Sequence, residues 1–144
     1  MISEDKRFLT SLADLEGVEP HQPRSEPEGA SSSLITRCNN LYRTPLADLS
    51  VDDIRLLVNQ NIGTRFLVPL ALKHLRENPL VQGDHYPGDL LAAVMRLDAE
   101  FWAQNQDAYW EIREIASGLL PIFEALEADI QQFNKKTEVS SSKN

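Results

Sequence analysis

The sequence predicts an all-α protein, a single compact helical domain of about five to seven helices. Three observations carry that reading. Apolar residues recur at three- and four-residue steps through most segments. No segment keeps the strict alternation of a half-buried strand, and the best strand candidate, FLVPLAL, fits helical spacing better. The chain has 144 residues, 42% hydrophobic and 25% charged, which is enough for one ordinary soluble core.

The first helix is expected from Ser3 to Leu15. Ser3 suits an N-cap, Glu4 and Asp5 the first turn, and Phe8, Leu9, Leu12 and Leu15 an inward stripe. From Gly17 to Ser33 the chain carries Pro20, Pro23, Pro27, Gly29 and a serine run, the composition of a flexible linker. A short helix follows over Ser33–Tyr42, with Leu34, Ile35, Cys38 and Leu41 inward. Ser50 caps the next helix, Asp52 and Asp53 occupy its first turn, and Leu49 and Ile54 span the cap as a hydrophobic staple. Ile62-Gly63 ends it, the glycine serving as a left-handed C-cap.

The organising stretch is Gly63–Leu97, two apolar helices joined by a punctuated corner. Phe66, Leu67, Leu70, Ala71 and Leu75 form one helical face, which Asn78-Pro79 terminates; Pro69 must either kink that helix or lie near its start. A second helix is expected to begin at Pro87, with Asp89 in its first turn, and to run on through Phe101 and Trp102. Asn105–Asp107 reads as a break. In the last helix Ile112, Ala116, Leu119, Phe123, Leu126, Ile130 and Phe133 recur at helical steps, with a bend at Gly118 and Pro121. The tail from Lys135 has no apolar face and is expected to fray. The organisation is therefore residues 1–33 as helix plus linker, 34–134 as the helical domain, and 135–144 as a disordered tail.

The net charge is −8. That balance repels a phosphate backbone, so nucleic acid is not an expected ligand, whereas a basic partner would be attracted. The plainer reading is that the charge keeps the chain soluble. One cysteine, Cys38, allows no internal disulfide, and a small buried apolar role suits it better than a reactive thiol. The N-terminus does not read as a secretory signal and no run is apolar enough to span a bilayer, so a cytoplasmic location without membrane contact is expected.

His74, Asp84, His85 and Asp89 are the one cluster of metal-ligand types, but no HExxH or CxxC spacing accompanies them. His74 on the outer side of its helix, Asp84 in a turn and Asp89 at a helix dipole explain them without a metal. The carboxylate pairs Asp52/Asp53, Asp98/Glu100 and Glu111/Glu114 fall on expected exposed faces or first turns rather than in a shared cleft. No nucleophile triad or phosphate loop is present in the pattern. The expectation is a protein with no catalytic residues, no metal and no cofactor.

Aromatic residues Tyr86, Trp102, Tyr109 and Trp110 are interleaved with carboxylates near the last two helices. Such residues usually build a core, yet Tyr and Trp also anchor interfaces. Asp98, Glu100, Asp107, Tyr109, Trp110, Glu111 and Glu114 are the candidate binding residues. The GDHYPGD corner, made of turn and cap types, is expected to be structural.

The segments LSVDDIRLLVNQNIG, LVPLALKHLRENPLVQGDHYPGDLLAAVMRL and FWAQNQ resemble the immunity proteins of bacterial contact-dependent growth inhibition systems, over Leu41 to Ile115, most specifically in GDHYPGDLL. The resemblance implies a protein that binds the cognate toxin domain and occludes its active site as a monomer in a 1:1 complex. It implies a basic nuclease toxin, with a ribonuclease as the narrower expectation. Two other readings stand beside it: a small metal-dependent hydrolase using His85 and nearby aspartates, and an adaptor for some other partner.

Overall fold

A computed structural model of the chain describes residues 8–17 and 31–141, with side chains through Lys136. Among the described residues there are seven α-helices, one 3-10 turn and no strand. The all-helical expectation holds.

Helix α1 is Leu12–Glu16, capped by Ser11, whose hydroxyl accepts the Asp14 N–H while the Asp14 carboxylate accepts the Ser11 N–H. That reciprocal cap sets the start of this helix; the expected Ser3 cap lies outside the described residues. Leu12 is fully buried, and Phe8 and Leu15 pack on the core, but Leu9 faces solvent because it precedes the helix and does not share its phase. The expected linker falls mostly on residues 18–30, outside the described set. Helix α2, Ser32–Tyr42, is capped by Ser31 and buries Cys38 and Tyr42.

After a 3-10 turn at Leu46–Asp48, Ser50 and Asp53 form a capping box for α3, Val51–Asn59, with Leu49 and Ile54 both buried beside it. Gly63 does adopt a left-handed conformation, φ 60°, but it opens α4, Thr64–Glu77, rather than closing α3. Asn61, φ 57°, takes the left-handed position after α3 instead. Pro69 is the sixth residue of α4, close to its start as one alternative required, and Asn78 is extended before Pro79.

Helix α5 is Asp89–Met95. Pro87 is not in its first turn. It pairs with Gln82 in an isolated bridge, the Gly88 N–H reaches back 3.1 Å to the Leu80 carbonyl, and Gly88 at φ 90° forms the N-cap. Phe101 and Trp102 do not continue α5 either. The chain turns at Arg96, and Asp98 caps a new helix, α6, Ala99–Gln104, by accepting the Phe101 N–H at 2.8 Å. An N-cap aspartate takes a backbone N–H that a continuing helix would bond to an earlier carbonyl. Only Asn105 separates α6 from α7, Gln106–Ser141, which passes through Gly118 and Pro121 without ending and extends beyond Lys135.

Helix α3 is central, packing against α2, α4 and α5; α4 also packs on α5 and α7, and α6 on α7. Its Ile54, Leu57 and Val58 are fully buried, each contributing about 1.5–3 kcal/mol by leaving water. Helix α7 joins the core only at its start. Ile112 is buried and Ile115 and Leu119 are half-buried, whereas Phe123, Leu126, Ile130 and Phe133 are exposed. The apolar stripe of the last helix therefore outruns the body it was expected to cover.

Candidate functional site

The surface proposed from the sequence lies on α6 and the first third of α7. Asp98 and Glu100 are exposed on α6, Asp98 already committed as its N-cap. On α7, Asp107, Trp110, Glu111 and Glu114 recur at three- and four-residue steps and share one side. Trp102 and Tyr109 have ring centroids 6.0 Å apart, and Tyr109 meets Trp110 edge-on at 5.4 Å. Trp102 is half-buried and its indole N–H donates to the Leu97 carbonyl at 3.1 Å. Trp110 remains 60% exposed, with the Arg113 guanidinium 5.3 Å above its ring. This chain of rings ties α6 to α7 and leaves its outer end facing solvent.

Glu111 has a different job from its neighbours. Both its carboxylate oxygens bond the Arg76 guanidinium of α4, one at 2.8 Å from Nη2. The Arg76 hydrogen bonds, against a smaller effect of burial, hold the Glu111 carboxyl below its ordinary range, and Arg76 rises in turn. Glu111 clamps α7 to the body, while Asp107 and Glu114 remain exposed and engage no ion pair among the described residues.

The site that sequence reasoning missed lies at the corner. Asp52, Arg55 and Asp89 are only 6%, 7% and 2% exposed, although Asp52 was expected on a solvated first turn. Arg55 Nε donates to Asp52 Oδ1 at 2.6 Å and lies 3.9 Å from Asp89 Oδ2. Arg37 reaches Asp52 Oδ2 at 3.0 Å and Asp53 at 3.2 Å. The loop folds its backbone onto these carboxylates. The Asp84 N–H donates to Asp52 at 2.9 Å, the Gly83 N–H to Asp89 Oδ1 at 2.6 Å, and the His85 and Tyr86 N–H groups to Asp89 Oδ2 at 3.1 and 3.4 Å.

The electrostatics follow. The Arg55 hydrogen bond, opposed by burial and aided by the Asp84 N–H and Arg37, holds Asp52 far below the usual carboxylate range. For Asp89 burial is the largest single influence and acts upward, but three backbone N–H bonds and the Arg55 charge together outweigh it. Gly83 must be glycine here, because a Cβ would stand 2.6 Å from Asp52 Oδ1 and 3.1 Å from Asp89 Oδ2. The signal in the sequence was an arginine beside Ile54 in the apolar run of Val51–Asn59, together with Gly83 in the turn six residues before the first-turn Asp89.

The corner is thus a buried ionic latch whose acceptors are spent internally. Among the described residues no three His, Cys, Asp or Glu side chains converge on a metal position. His85 and Asp84 are exposed, and His74 is half-buried rather than on the outer side. No helix of the described residues is long and apolar enough to cross a membrane.

The profile of a family described as CDI immunity proteins matches residues 19–112, more than half of the chain, and spans the whole latch from Arg37 to Asp89. The chain belongs to the CDI immunity proteins. Its role is immunity against a toxin of contact-dependent growth inhibition. Comparison with curated proteins finds no match. The latch and most of the α6–α7 surface of this immunity protein lie inside the matched span, whereas Glu114 and the exposed remainder of α7 lie beyond it.

Proposed function

We propose that this immunity protein neutralises its toxin stoichiometrically, as a monomer in a 1:1 complex in the cytoplasm. In this reading the toxin is a basic nuclease, with a ribonuclease the narrower expectation, and its active site is covered. The contact surface comprises Asp98, Glu100, Asp107, Tyr109, Trp110 and Glu114, with Glu111 at its inner edge. The single observation behind this reading is the exposed row Asp107–Trp110–Glu114, an aromatic anchor between two carboxylates on a rigid helix. A carboxylate pair of that kind matches the lysines and arginines that a nuclease uses on phosphates. The protein would act by occupying that cleft, with no turnover.

The test is titration of the toxin domain encoded immediately upstream. The double variant Asp107→Lys/Glu114→Lys should weaken binding by about tenfold or more at low salt and flatten its salt dependence. Glu111→Lys is a poorer probe because it also breaks the clamp to Arg76. Equal affinity of the double variant and the natural protein at low salt places the contact elsewhere. Failure of the natural protein to bind rejects the reading.

A further inference from the structure

Helix α7 carries a second feature, and the inference from it rests on the toxin-binding reading above. From Ile112 its apolar residues run 112, 116, 119, 123, 126, 130 and 133, steps of four and three without interruption. That is a heptad seam. Its first part lies against the body. Its later part faces solvent, with Phe123 45%, Leu126 51% and Ile130 57% exposed. Leu120 and Phe123 also wall a groove of about 370 Å³ with Leu80, Pro87, Leu91 and Met95, where α7 leaves the body. A monomer seldom displays a continuous apolar strip of this length without a partner.

The borders of the strip say which partner. At about 100° per residue, Glu127 and Asp129 flank the Leu126–Ile130 line on opposite sides. Glu124 lies further out, and no lysine or arginine occurs between Arg113 and Lys135. A second copy of this chain would bring no cation from that stretch to either border. A protein surface with an apolar ridge and basic margins satisfies all three.

We propose that the distal half of α7, centred on Phe123, Leu126 and Ile130, is the apolar half of the toxin-binding surface, and that the groove under Leu120 receives an apolar side chain of the toxin. The acidic row nearer Asp107 then steers the encounter and the seam holds the complex. At about 100° per residue the two halves sit roughly 140° apart around the same helix, so a toxin domain that engages both must wrap around α7.

The probe is the upstream-encoded toxin domain, titrated against the full chain and its Leu126→Gln/Ile130→Gln variant. Both positions are exposed and glutamine is a good helix former, so circular dichroism and melting should be unchanged. The variant should lose about 100-fold or more in affinity, mostly through faster dissociation, and the free natural protein should sediment as a monomer. Equal affinity of variant and natural protein overturns the seam as a toxin contact while leaving the immunity reading intact. A natural dimer that the variant dissolves assigns the seam to self-association and also overturns it. No binding by the natural protein removes both proposals.

Discussion

Replacing Asp89 by Asn tests whether the corner latch stabilises the fold. The substitution keeps the shape and removes the charge. Asp89 now accepts from Gly83 on one oxygen and from His85 and Tyr86 on the other. An amide offers one oxygen and one NH2, so whichever way it is turned at least one part-buried N–H faces another donor. An orphaned N–H costs about 1–3 kcal/mol when buried, and a part-buried one falls towards the lower end. Losing the attraction to Arg55 at 3.9 Å adds to this, while relief from burying a carboxylate subtracts. The net expectation is about 1–2 kcal/mol, or roughly 3–8 °C in Tm for a domain of this size. Urea unfolding at pH 7 measures it directly. The effect also has a sign in pH. The folded-state pKa of Asp89 is lowered, so its stabilisation is complete above the unfolded value near about 3.9 and fades as pH falls through the folded value. The gap between natural protein and variant should therefore shrink towards pH 3. A difference below about 0.5 kcal/mol, or one constant from pH 7 to pH 3, would refute the latch as a source of stability.

Two further outcomes follow from the same geometry. Gly63→Ala places a Cβ 2.5 Å from Leu12 Cδ2 in a left-handed residue, so it should cost about 2–3 kcal/mol; the effect should be smaller in a Leu12→Ala background, and strict additivity in a denaturation cycle would rule out the clash. Acid unfolding of the natural protein should start below about pH 4, where Asp52 and Asp89, both lowered in the fold, give up their advantage over the unfolded chain. A denaturant midpoint independent of pH between 7 and 3 would contradict that.

Periodicity and punctuation were enough to read an all-helical domain, the helix Thr64–Glu77, the Ser50 cap and the structural character of the GDHYPGD corner. These depend on residues within one or two turns of each other, and local chemistry decides them. The candidate binding residues could be named from the sequence only as aromatic and acidic types near the last two helices; that Asp107, Trp110 and Glu114 share one side depends on the last helix starting at Gln106, where a break over Asn105–Asp107 was expected.

What the linear order did not contain was the pairing of distant groups. Asp52 looked like a solvated first-turn carboxylate until the loop 32 residues away brought the Asp84 N–H to it and Arg55 closed the charge. Glu111 looked like a carboxylate on an exposed face until α4 placed Arg76 against it. The seam of α7 has one unbroken pattern from Ile112 to Phe133, yet only the position of the other helices separates its covered part from its open part. A hydrophobic period states that a face will be buried; the finite extent of the body decides where along the helix that burial stops.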